Sequence, residues 1–112
     1  MRKPKFEIFG GQDGKFYFRL KAANGEPIMA SKGFATKPDA MRGIASVMEH
    51  SPSESQFARR RSANYKFYFQ LRTAGGRILG WSELYETKQG RDNGIKAVIR
   101  AAAHGRVFDL TF

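Results

Sequence analysis

A segment of this chain occurs twice. Lys15-Phe16-Tyr17-Phe18-Arg19-Leu20-Lys21 returns as Lys66-Phe67-Tyr68-Phe69-Gln70-Leu71-Arg72 at an offset of 51 residues. The offset holds without a gap: Asn24-Gly25 falls on Gly75-Gly76, Ser31 on Ser82, Phe34 on Tyr85, Thr36-Lys37 on Thr87-Lys88, Gly43-Ile44 on Gly94-Ile95 and Val47 on Val98. A duplication this regular means that one supersecondary unit is used twice. Within 112 residues, two units of about 50 take up almost everything, and neither is large enough to bury a stable core alone. The expectation is a single compact domain over 1–112, with repeat 1 at 5–55 and repeat 2 at 56–112. The same offset links Phe6, Phe57 and Phe108, so Arg106 to Phe112 reads as a third copy of the opening strand. That copy is expected to supply to the second unit what Phe57 to Arg61 supplies to the first.

The periods inside a unit are legible. Phe16, Phe18 and Leu20 alternate with Tyr17, Arg19 and Lys21, the period of a strand with one buried and one wet face. Strands are predicted at 15–22 and 66–73, each reversing through Asn24-Gly25 or Gly75-Gly76 into a partner near Ile28 to Lys32 or Ile78 to Glu83. Gly10-Gly11-Gln12-Asp13-Gly14 separates an opening strand, Lys5 to Phe9, from the second; Asn64-Tyr65 takes that place in repeat 2 and predicts a tighter turn. The period then changes to that of an amphipathic helix, with Ala40, Ile44, Val47 and Met48 in one unit and Ile95, Val98, Ile99 and Ala102 in the other. Thr36 and Thr87 suit the N-caps, Asp39 completes a capping-box-like pattern, and Pro38 fits the first turn. A glycine in mid-helix costs up to about 1 kcal/mol, so Gly43 and Gly94 at equivalent places imply a packing reason. His50 to Ser55 reads as a short connector. The fold class is therefore α+β: two tandem β-β-β-α repeats plus a C-terminal strand, forming one pseudo-twofold antiparallel curved sheet packed with two helices.

These motifs carry a resemblance. Lys-Phe-Tyr-Phe-x-Leu, a small-residue turn, then Ser82-Glu83-Leu84-Tyr85-Glu86-Thr87 and Gly94-Ile95-x-x-Val98 resemble the YegP-like family of small bacterial proteins, built from one or two copies of a domain of unknown function. The first unit carries the pattern as Lys15 to Gly25, Ser31 to Thr36 and Gly43 to Val47, and the likeness spans residues 5 to 112. The resemblance implies the repeated fold and no activity. The chain departs from the pattern at Gly33, Pro38 and Trp81 and in its many arginines.

Composition then excludes classes of function. With 41% apolar and 13% aromatic residues the chain has the make-up of a folded domain. No cysteine is present, which excludes disulfides, thiolate metal sites and cysteine nucleophiles, and makes a reducing cytoplasm the expected location. The apolar run after the basic start is too short for a signal peptide, and no stretch reaches the roughly 18–20 apolar residues of a membrane span, so no membrane association is expected. Catalysis has little to work with. His50 and His104 each fall near a helix end, where a helix-dipole or solvent role is the ordinary one, and neither has a metal-ligand spacing. Glu83 and Glu86 precede a helix, where carboxylates are commonly solvated. The glycine-rich segment at 10–14 lacks the lysine and hydroxyl of a phosphate loop and enters a strand. No catalytic residue, metal or cofactor is assigned, and the chain is read as no enzyme.

Twenty Lys and Arg against 10 Asp and Glu leave a net charge of +10. If Phe16, Phe18 and Leu20 point inward, then Lys15, Tyr17, Arg19 and Lys21 share the opposite face, as do Lys66, Tyr68 and Arg72 in repeat 2, with Arg59 and Arg61 together on one face of the preceding strand. Tyrosines among cations on a sheet can stack bases and hold phosphates. These nine residues are the candidate nucleic-acid-binding set, for DNA or RNA. The bland alternative is a solvated sheet surface with ordinary cross-strand aromatics. A second reading is a protein-interaction module, since Trp81 stands where repeat 1 has Ala30, Leu84 replaces Gly33, and both flank Tyr85. One chain supplies both units, which makes a monomer the expected state.

Overall fold

The structure, a computed structural model, describes residues 2–111; Phe112, the end of the expected third strand copy, lies outside them. The chain runs β1 (Lys5–Gly10), β2 (Phe16–Lys21), β3 (Pro27–Ala30), α1 (Lys37–His50), β4 (Phe57–Arg61), β5 (Phe67–Arg72), β6 (Ile78–Trp81), α2 (Lys88–Ala102) and β7 (Val107–Asp109). A short 3-10 turn, Glu54–Gln56, leads into β4. The strands make one open sheet in the order β4-β5-β6-β3-β2-β1-β7, so β3 and β6 meet at its centre and join the two repeats.

The duplication shows in repeated detail. Thr36 and Thr87 cap the helices, each hydroxyl accepting from the backbone N–H three residues on. Gly25 and Gly76 turn the second hairpins at φ of +89° and +91°, where only glycine is unstrained. Both second strands shift register at one equivalent place, Leu20/Lys21 and Leu71/Arg72. Ser31 and Ser82 each end a ladder: the Phe18 and Phe69 N–H groups donate to their hydroxyls at 2.9 Å, and the hydroxyls donate onward to the carbonyls of Lys32 and Glu83.

The first hairpin of repeat 2 is not the tighter turn that Asn64-Tyr65 predicts. Gly14 and Tyr65 occupy the same left-handed position, at φ of +79° and +61°, and the same backbone bonds close both turns. The turn is conserved between repeats and a tyrosine bears its strain.

Pleating sorts the sheet. Phe6, Ile8, Phe18, Leu20, Phe57, Phe69 and Leu71 are buried beneath Ile44, Val47, Ile95 and Val98 of the helices. Each helix packs on strands of both repeats, which ties the halves together outside the sheet as well as at β3–β6. The helix glycines make room for one ring per repeat. A Cβ on Gly43 would stand 2.9 Å from the rings of Phe18 and Phe34, and one on Gly94 would collide with the Tyr85 hydroxyl. The packing reason expected for these glycines is thus the Phe34/Tyr85 ring, which is also held by a backbone bridge to Phe16 or Phe67.

Two expectations are corrected. The sheet is mixed: five neighbouring pairs are antiparallel, but β1 and β7 are parallel. Nor does the third strand copy serve the second unit. β4 leaves repeat 1 and pairs with β5 of repeat 2; by the pseudo-twofold, β7 would pair with β2, but β1 already fills that place. β7 therefore adds one strand further out, against β1. Its position also explains why Phe108 is 39% exposed while its equivalents Phe6 and Phe57 are buried.

Candidate functional site

The helices cover the face that carries Phe6, Phe18, Phe57 and Phe69 and leave the other open. On the repeat 1 half, cross-strand register places Lys5 opposite Lys21, Glu7 opposite Arg19 and Phe9 opposite Tyr17. Glu7 is 5% exposed and collects three cations: Arg19 Nε at 2.7 Å, Lys21 Nζ at 3.2 Å and Lys5 Nζ at 3.6 Å. Burial by itself raises the Glu7 carboxyl, but the hydrogen bonds and charges of Arg19 and Lys21 together outweigh it and hold the pKa below the ordinary value. The Arg19 guanidinium lies over Phe9, 4.5 Å from the ring centre, and Phe9 stacks on Tyr17 at 5.8 Å. Tyr17 donates its hydroxyl proton to the Asp13 carboxylate, which raises the phenol and lowers the acid. Lys15 lies beside it: a Cβ on Gly33 would stand 2.8 Å from Lys15 Cδ and 3.0 Å from the Tyr17 hydroxyl. Gly33, one of the departures from the motif, is the space these two side chains use.

The repeat 2 half is built differently at the same positions. Ala58 stands in the place of Glu7, Arg60 in that of Phe9 and Gln70 in that of Arg19. Register sets Arg60 opposite Tyr68, Ala58 opposite Gln70 and Gln70 opposite Trp81, so these side chains share the open face with Arg72. None of them is a carboxylate. Arg72 Nη2 donates to Gln70 at 3.2 Å, while its Nε is buried with no partner among the described residues. Trp81, 36% exposed, stands at the central seam opposite Ala30.

The structure brings together Tyr17, Arg19 and Lys21 on one half of the open face and Tyr68 and Arg72 on the other, with Lys15 beside Tyr17. Lys66, just before β5, pairs with Glu86. It does not bring Arg59 and Arg61 there. Both point to the helix side of β4: Arg59 bonds Asp92 and Glu54 at 3.0 Å each, and Arg61 lies over Tyr65 and Phe67 at 5.2 and 5.1 Å. The Asp92 bond, more than any other contact, raises the Arg59 pKa. Arg60 is the arginine on the open face. The offset contained this signal, because it aligns Arg59 with inward Ile8 and Arg60 with outward Phe9. Nor is there one continuous strip, since Glu7 neutralises part of the first half and the Trp81–Ala30 seam separates the two. His50 Nδ1 lies 2.8 Å from the Ser46 carbonyl, the ordinary role of a histidine ending a helix. Among the described residues no three His, Asp or Glu side chains gather to hold a metal.

The family described as Domain of unknown function (DUF1508) matches this sequence twice, at residues 12–57 and 62–109. The chain belongs to the DUF1508 family. In DUF1508 terms each copy begins at the second strand and ends in the strand after its helix, so β4 and β7 are the equivalent closing strands and β1 is the addition. The UPF0339 protein YegP of Escherichia coli is 43% identical over 93 residues, covering 83% of this chain and 84% of YegP. A UPF0339 protein of Shewanella oneidensis is 40% identical over 106 residues, 95% of this chain and 96% of its own. The solution NMR structure of E. coli YegP, titled a protein of unknown function, superposes with a TM-score of 0.93 at 39% identity, over 99% of this chain and 96% of that one. These likenesses agree with the YegP-like motif and the repeated α+β fold, and none of these relatives is named for an activity.

Proposed function

We propose that this protein is a non-catalytic binding domain that takes single-stranded nucleic acid on the repeat 2 half of its open sheet face. One observation carries the reading: where repeat 1 places the buried carboxylate Glu7 among its cations, repeat 2 places Ala58, so Arg60 and Arg72 stand uncancelled beside Tyr68 and Trp81. Rings that stack bases and guanidinium groups that meet phosphates are what a single strand needs, and a net charge of +10 steers a polyanion towards them. Lys66, paired with Glu86, borders this half, while Lys15, Tyr17, Arg19 and Lys21 form a second patch across the Trp81–Ala30 seam, with Arg19 and Lys21 partly engaged by Glu7. Arg59, held by Asp92 and Glu54, and Arg61, over Tyr65 and Phe67, lie on the helix side and stand outside this surface. A monomer fits this reading because both sheet halves come from one chain, and a cysteine-free chain fits a reducing cytoplasm.

The test is a titration of labelled single-stranded DNA and RNA against the protein and its Tyr68→Ala and Trp81→Ala variants. Base stacking is worth about 1–3 kcal/mol per base, so each variant is expected to bind roughly 5- to 150-fold more weakly. The salt slope should follow about 0.7 per phosphate contacted. Absence of binding at low salt, or undiminished binding by the double variant, overturns the reading. The observation favouring a protein partner instead is Leu84, 57% exposed where repeat 1 has Gly33. Nuclease-insensitive recovery of one stoichiometric protein, lost in Leu84→Ser, would support that partner.

A further inference from the structure

Where β7 docks on β1, a cleft of about 300 Å³ opens beside the β2–β3 turn, lined by Arg2, Lys3, Lys5, Lys21, Arg106 and Phe108. Five cations thus surround a space of ligand size, and no acid lines it. Glu7 engages Lys5 and Lys21 from the sheet face, whereas Arg2, Lys3 and Arg106 make no ion pair among the described residues. The parts are held in place. Arg106 is pinned by its carbonyl, which accepts from the Phe6 N–H at 2.7 Å, and Arg2 by a bond to the Asn24 carbonyl at 3.2 Å. Lys5 and Arg106 each lie 5.1 Å from the centre of the Phe108 ring, so the ring gathers cations at the cleft. Repeat 2 has no counterpart among the described residues, because Gln56 stands at the Lys5 position and no described strand docks outside β4.

We propose that this cleft binds a polyphosphate chain, recognised by charge and not by a base. Converging like charges repel one another, and a multiply charged anion relieves that repulsion, which a single phosphate would do less well. Two sources share this chemistry: the tail of a free nucleoside triphosphate and the 5′-triphosphate end of an RNA strand. The site is separate from the Tyr68–Trp81 face and does not depend on that reading.

The experiment is an NMR and calorimetric titration with inorganic tripolyphosphate at low salt. Saturable one-to-one binding is expected, with amide shifts centred on residues 2–5, 21–25 and 106–108. Arg2→Glu combined with Arg106→Glu should weaken it at least tenfold. Lys3→Glu, a change at an exposed residue, should weaken it in the same direction should the double variant fold poorly. Arg60→Glu changes the charge equally at the opposite end of the sheet and should alter affinity less than threefold, and Tyr68→Ala not at all. No saturable shifts at millimolar tripolyphosphate, or an equal loss in Arg60→Glu and Lys3→Glu, overturns the proposal. Competition of tripolyphosphate by ATP, and by triphosphate-ended against hydroxyl-ended RNA, then separates the two sources.

Discussion

Replacing Gly80 by alanine tests how the two repeats are joined. Gly80 lies in β6 at the seam with β3, where a Cβ would stand 2.8 Å from the Ala30 carbonyl oxygen, 3.2 Å from Met29 Cγ and 3.4 Å from the Ala30 carbonyl carbon. Two of these contacts are backbone, so the strand itself must retreat by about half an ångström. Overpacking of this kind costs about 1–3 kcal/mol. Removing a glycine from a strand returns roughly 0.5–1 kcal/mol. The net expectation is a loss of up to about 2.5 kcal/mol, centred on about 1 kcal/mol. For a domain of 112 residues, an unfolding entropy of about 2.1 cal/mol/K per residue converts this into a fall in Tm of up to roughly 10 °C, centred on about 5 °C. Gly10→Ala is the control: it also replaces a strand glycine, but nothing lies within 4 Å of its Cβ, so it should be neutral or slightly stabilising. Thermal and urea unfolding followed by circular dichroism measures both. Gly80→Ala indistinguishable from Gly10→Ala would refute the seam argument. Two separate transitions in the unaltered protein would refute the proposal that both repeats fold as one unit.

Three further outcomes follow from the same geometry. Glu7→Gln should destabilise by about 1–3 kcal/mol at pH 7, less than a fully buried pair because its cations remain partly exposed. Since the folded pKa of Glu7 lies below its ordinary 4.5, that contribution is present above about 4.5 and is lost as pH falls through the folded value, so the gap between the two proteins in urea unfolding should narrow on going to pH 3. Ser31→Ala leaves the Phe18 N–H without its hydroxyl acceptor inside the protein and should cost about 1–3 kcal/mol by the same assay; equal stability would mean that water replaces it. Tyr65→Gly should be roughly 0.5–1 kcal/mol more stable than Tyr65→Ala, because both lose the Arg61 contact but only glycine relieves the left-handed backbone; the reverse order would remove the strain argument.

The alternation of Phe16, Phe18 and Leu20 placed the core face of β2, and Thr36 and Thr87 placed the helix starts, because both depend on neighbours a few residues away. Placing Arg59 failed for a different reason. The strand is amphipathic only at Phe57, after which three arginines hide its pleat, and the correct face comes only from aligning Arg59 with Ile8. Glu7 carries no local signal: its burial under three cations depends on β1 lying beside β2, which local sequence does not state. The parallel docking of β7 was likewise hidden, since it follows from competition with β1 for one edge.

That competition leaves the two rims of the sheet unequal. β1 is sealed by β7, a strand of only three residues, while β4 presents an outer row of peptide groups that no strand among the described residues covers. Such a row is a template on which a second molecule could extend the sheet. In this chain the rim is written Arg59-Arg60-Arg61, so any copy approaching edge to edge would bring six guanidinium groups into register. Substituting Arg60 and Arg61 with threonine, which spares the Arg59 bonds to Asp92 and Glu54, is expected to make the protein more prone to aggregate, a change that light scattering would report.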